Sequence, residues 1–136
     1  MVAALLSLFG AQGAHARPVM LDIVGGETAF LVDADRGRAF WVLDECKRPI
    51  PIESSSKAGL ESAEMRDRVR LGARQVELRQ RFRMRLAEPQ GASVEVFNSV
   101  RGGWAPVPVE VNAGCDREPM CRARMELPEC PAAPTR

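Results

Sequence analysis

From residue 19 onward, apolar and polar positions alternate with a period of two through most of the chain, the pattern of half-buried β-strands. Val19, Leu21 and Ile23 alternate with Met20 and Asp22. Gly25-Gly26 then predicts a two-residue hairpin turn in which Val24 pairs with Glu27. That register sets Leu21 opposite Phe30 and Val19 opposite Val32, giving one continuous apolar face that a slip of one residue would destroy. Residues 33–38 predict a type I turn with a glycine bulge, pairing Val32 with Phe40 and Phe30 with Val42 and carrying the same face into a third strand.

Asp33-Ala34-Asp35-Arg36-Gly37-Arg38-Ala39-Phe40-Trp41 resembles the turn of a quinoprotein β-propeller blade, with its Asp-x-x-x-Gly and a Trp four residues on, although Arg36 stands where that pattern has Thr. The resemblance occurs once and implies only the hairpin. A chain of this length holds about three blades of ~40 residues, too few to close a propeller. Asp33, Asp35 and Gly37 also match the start of a calcium loop, but its later acidic ligands are absent. A solvated turn is expected there, and no metal site anywhere in the chain.

Residues 53–59, Glu-Ser-Ser-Ser-Lys-Ala-Gly, have the composition of a mobile loop, and residues 58–66 suggest a short helical turn around Leu60 to Met65. Residues 76–86 contain good helix formers, but Val76, Leu78, Phe82, Met84 and Leu86 occupy even positions while Glu77, Arg79, Arg81, Arg83 and Arg85 occupy odd ones. Wound as a helix, the apolar residues would scatter around the circle, so the segment reads as a strand. A turn over 88–92 matches Leu86 with Val94 and Met84 with Val96. A second glycine pair, Gly102-Gly103, then matches Val96 with Val109 and Val94 with Val111. Pro106 and Pro108 lack an N–H, which places the strand 104–111 at an edge. A last strand is expected over 121–127, with Cys121, Ala123, Met125 and Leu127 inward. Two meanders with one apolar face each must bury those faces together, so the expected fold is all-β: antiparallel meander strands forming a small sandwich or barrel.

Residues 1–16 are apolar and end in Ala14-His15-Ala16, which reads as a secretory signal with an A-x-A cleavage site, although no basic residue precedes the apolar run. The run is shorter than the ~20 residues of a membrane span. The expected mature chain is one all-β domain over 17–130 with a disordered tail over 131–136, exported to the periplasm or the extracellular space. Export makes the even set of cysteines a disulfide framework, since C-x5-C and C-x8-C match no zinc pattern. Of three connectivities, Cys115 with Cys121 and Cys46 with Cys130 is favoured, the first closing a short loop and the second tying the tail to the body.

Cleavage would remove His15, the only histidine, and the chain has no tyrosine. Histidine-dependent nucleophile activation and His-ligated metals are thereby excluded from the mature chain, and no cofactor is implied. A carboxylate-dependent hydrolase survives as a minor reading that needs two acidic residues meeting in one cleft.

Charge changes the picture further. The formal total is +1, but residues 66–85 carry eight arginines against Asp67 and Glu77, a local +6 that the remainder offsets. On the expected strand, Arg79, Arg81, Arg83 and Arg85 share one face, beside Glu95 and Phe97 and then Trp104. Guanidinium groups next to exposed aromatics suit an anionic polymer or an acidic protein surface, so a small binding module or inhibitor using this face is the leading expectation. Arginine serving only to solubilise the strand is the plain alternative. Export and the near-neutral total argue against nucleic acid. A barrel carrying an apolar ligand is the remaining alternative, and would need a cavity in place of a packed core.

Overall fold

The computed structural model describes residues 18–87, 91–112 and 114–131. The expected leader, residues 1–16, and the expected tail, residues 131–136, apart from Pro131, lie outside the described residues. Among the described residues, eleven strands, β1 (Val19–Ile23), β2 (Ala29–Asp33), β3 (Arg38–Val42), β4 (Lys47–Ile50), β5 (Ile52–Ser56), β6 (Gly59–Ser62), β7 (Met65–Leu71), β8 (Arg74–Ala87), β9 (Gly91–Asn98), β10 (Gly103–Val107) and β11 (Val109–Asn112), are followed by one short helix, α1 (Pro119–Met125). They form an antiparallel sandwich. One sheet runs β11-β1-β2-β3-β4; the other runs β10-β9-β8-β6-β5, with β7 added to β8.

Both corners of the sandwich are made at prolines. β4 passes into β5 through Pro51 and β10 into β11 through Pro108, so each edge strand of one sheet continues as an edge strand of the other. A residue without an N–H cannot continue the ladder, and strands that bend and switch sheets are how such corners form. The edge position expected for the strand 104–111 is therefore correct, but the strand divides at Pro108 between the two sheets.

Leu21, Phe30, Val32, Ala39 and Ile50 of the first sheet meet Leu60, Met65, Phe82, Met84 and Val94 of the second. The Phe30, Trp41 and Phe82 rings fill the space between, with centroids 5.4–6.1 Å apart. The first sheet is covered on its other face as well. Met20, Ala29, Leu31, Phe40 and Val42 pack beneath Cys115 and Cys121, with Met125 and Leu127 added from α1 and the residues after it. Both expected disulfides are present: Cys115–Cys121 joins this cover to itself, and Cys46–Cys130 fastens its end to the loop before β4. Backbone bonds Lys47 N to Pro128 O and Cys130 N to Lys47 O, each 2.9 Å, extend that second attachment.

Burial on both faces explains the first register error. β1 and β2 pair as expected, Val19 with Val32 and Leu21 with Phe30. The turn differs, however: Ile23 N bonds Thr28 O, Val24 N bonds Pro108 O, and only Gly25 has positive φ, at 77°. Between β2 and β3 the pairing is Val32 with Ala39 and Phe30 with Trp41, one residue from the expected register. Phe40 and Val42 thus point to the helix-covered face; alternation cannot set parity where both faces are apolar.

Residues 53–59 are not a loop and residues 58–66 hold no helix: β5 and β6 form a hairpin there, and β7 begins at Met65. A run of consecutive serines is compatible with an exposed edge strand, and composition alone hid it. The strand expected over 121–127 is α1. Glu118 caps it, its carboxylate accepting from the Met120 and Cys121 N–H groups, Pro119 starts it, and Cys121 and Met125 fall on one face four residues apart. β8 is the expected strand with the expected inward face, but Met84 pairs with Val94 and Phe82 with Val96, two residues from the anticipated match. Likewise Val96 pairs with Ala105, four from Val109, because the turn after β9 spans residues 99–102 and so is centred two residues before the Gly102-Gly103 pair. Asn98 closes it, its side-chain oxygen accepting from Val100 N at 2.8 Å.

Candidate anion-binding face

The outer face of the second sheet carries the arginine row. Register places Arg83 between Glu61 of β6 and Glu95 of β9, Arg85 between Gly59 and Ser93, and Arg81 beside Phe97, which is itself opposite Trp104 of β10. At ~6.6–6.8 Å between alternate residues, the four arginines 79, 81, 83 and 85 span about 20 Å.

The row is not uniform. Arg81 is bound to Glu53 at 2.7 Å, and Arg79 lies 3.7 Å from Glu64. Arg83 sits 3.7 Å from Glu95 and 3.9 Å from Glu61, with its guanidinium 4.2 Å from the Trp104 ring centre. Phe97 packs on the other component of that stack, its ring centroid 5.9 Å from Trp104. Arg83, Phe97 and Trp104 are therefore brought together as the sequence suggested, while Arg79 and Arg81 are drawn toward the β5 and β7 side. Arg85 is exposed and has no ion pair among the described residues.

Arg85 borders a groove of about 360 Å³ lined in part by Ser54, Ser56, Gly59, Glu61 and Arg83. Gly59 also sets how closely the two strands under the groove approach. A Cβ at this position would overlap the Met84 carbonyl oxygen, so β6 approaches β8 more closely than a side chain permits. The Ser56 hydroxyl accepts from Ala58 N at 3.2 Å and shapes the turn at the groove's end. Two hydroxyls, one unpaired guanidinium and one stacked guanidinium can together hold a carboxylate, sulfate or phosphate group; Glu61 sets a limit by repelling the same anion.

Glu53, Glu61 and Glu64 were not among the residues the sequence assigned to this surface. They come from stretches read as a loop and a helical turn, so their cancellation of the arginine charge was invisible. Ser62 was missed too. β6 pairs with β8 down to Glu61 and β7 takes over at Met65, leaving Phe82 N at the seam; the Ser62 hydroxyl, 1% exposed, accepts from it at 2.7 Å. Among the described residues there is no group of three His, Cys, Asp or Glu placed to hold a metal, and no helix long and apolar enough to cross a membrane.

No family model matches the chain, and no curated protein or solved structure resembles it at a significant level.

Proposed function

We propose that this protein is a small exported binding module, acting by occupancy or inhibition, that takes an anionic group of a polymer or of an acidic protein surface at the groove beside Arg83 and Arg85. The observation that carries the reading is the placement of an unpaired, exposed Arg85 beside an Arg83 already oriented by Trp104. Preorganisation of that kind reduces the ordering cost of binding, and a charge-assisted contact gains most where a cation has no competing carboxylate. Two disulfides suit an oxidising compartment, which supports export. A ligand carried inside the sandwich has less support, because aromatic rings occupy the space between the sheets.

Heparin chromatography tests the reading. Wild type should be retained and released by salt, as exposed charge contacts are screened. Arg83→Gln with Arg85→Gln should elute at clearly lower salt, with the thermal midpoint changed by only a few degrees. Coelution of the two proteins would remove the groove from consideration.

A further inference from the structure

Residues 66–78 leave the sandwich as a two-stranded ribbon, between the core residue Met65 and Arg79, whose backbone is bonded to Ser99. β7 pairs with β8 from Met65 opposite Gln80 to Leu71 opposite Arg74, whereas β9 takes up β8 only from Gln80 onward and β6 only from Arg83. Among the described residues, β7 has no strand on its second edge, and no backbone bond other than those to β8 reaches residues 65–71. An isolated two-stranded ribbon is marginal in water.

The ribbon has two unlike faces. Arg66, Arg68 and Arg70 alternate on one, opposite Arg79, Glu77 and Gln75; Asp67, Val69 and Leu71 alternate on the other, opposite Leu78, Val76 and Arg74. Val69, Leu71, Val76 and Leu78 belong to neither core cluster, and Leu71 is 49% exposed. Asp67 is held by Arg48 at 2.9 Å, and Arg66 is shared by Glu64 and Glu77. Arg68, Arg70 and Arg74 have no ion pair among the described residues. The positive surplus of the 66–85 segment therefore collects on this arm, since glutamates from neighbouring strands offset the row on the sheet.

An open edge exposes backbone donors and acceptors to any strand that can align with it. A second copy is a poor occupant, because antiparallel self-pairing would set the row of arginines against itself. The complementary strand carries carboxylates at alternate positions, facing Arg66, Arg68 and Arg70, and aliphatic side chains between them, facing Val69 and Leu71. We propose that β7 binds an extended segment of a partner protein as an added strand, the segment alternating acidic and aliphatic residues. This addition would extend the ribbon to three strands, set aliphatic side chains beside Val69 and Leu71, and supply the missing neighbour. It does not depend on the groove at Arg85.

The probe is a short, capped, fluorescent peptide alternating glutamate and valine, titrated with the full chain at low salt and followed by anisotropy. Saturable binding is expected, weakened about tenfold or more by Arg68→Glu with Arg70→Glu, whose side chains are exposed. N-methylation of alternate peptide amides along one edge should weaken it about as much, since strand addition needs those donors. Arg117→Gln with Arg122→Gln, exposed beside and on α1 over the other sheet, should leave the affinity within about twofold, as distant sites act independently. Backbone amide shifts on titrating wild type should centre on residues 65–71, a readout that needs no variant to fold. Equal binding of the methylated peptide, equal binding of a peptide with the same composition in two blocks, or shifts centred on Arg83 would overturn the proposal. So would absence of saturable binding, including the case in which vesicles of phosphatidylcholine and phosphatidylglycerol capture the protein through the arm instead.

Discussion

β2 and β8 are the middle strands of the two sheets, and they settle burial in opposite ways. Every residue of β2 is buried, Leu21 and the aromatic rings on one side and the α1 cover on the other. Along β8 only Phe82 and Met84 are fully buried among the described side chains, and the odd positions from 79 to 85 carry arginine. The sequences state the difference: Ala29-Phe30-Leu31-Val32 is an unbroken apolar run, as expected of a strand covered twice, whereas β8 alternates. One sheet is a foundation held by two disulfides. The other presents a surface whose side chains are set by register and are free to be changed.

The largest test of that division compares residues on the two outer faces. Leu31→Ala, beneath α1, should cost about 2–5 kcal/mol in denaturant unfolding, because it opens a cavity in a packed layer. Phe97→Ala, on the open face, should cost about 0.5–1.5 kcal/mol, roughly the value of its ring pair with Trp104. Equal costs would mean that the second sheet is covered in solution as the first is.

The same contrast explains what could be read from the sequence. On β8, charge at every odd position from 77 to 85 settled which face turns inward, and the face assignment held for Glu95, Phe97 and Trp104 as well. Alternation fixes parity and nothing more, so the partners across β8, β9 and β10 shifted by two and by four without moving any side chain to the wrong face. On β3 even parity was lost, because Phe40-Trp41-Val42 is apolar throughout. Cysteine spacing conveyed the two disulfides. α1 was masked by chance alternation of Cys121, Ala123, Met125 and Leu127, although Glu118-Pro119 is a helix-start signal; Ala123 is in fact exposed. Of the site, the stacked Arg83, Phe97 and Trp104 were legible, but the groove was not. It is lined by Gly59 and by two serines from a stretch whose polarity resembled a loop.

The seam between β6 and β7 offers an intermediate effect. Ser62→Ala leaves the Phe82 N–H buried without its acceptor, which should cost about 1–3 kcal/mol. Amide hydrogen exchange is the sharper readout. Phe82 should lose protection far more than Met84, whose neighbours keep their strand pairing; uniform loss would show that the seam is not a local feature of the second sheet.

The smallest effect on stability should accompany a gain in binding. Arg83 lies near two carboxylates, Glu61 and Glu95, at distances of 3.9 and 3.7 Å and with all three side chains about one-third exposed. Pairs of this kind contribute ~0–1 kcal/mol each, and removing them leaves the Trp104 stack in place. Glu61→Gln with Glu95→Gln should therefore leave the unfolding free energy within about 1 kcal/mol of wild type. The same double variant removes the two carboxylates beside Arg83 and keeps the side-chain volumes, so retention on heparin should rise to higher salt. Unchanged retention would mean that anions bind elsewhere, and a large loss of stability would mean that these glutamates anchor the sheet; either result would erase the distinction between a fixed first sheet and an adaptable second one.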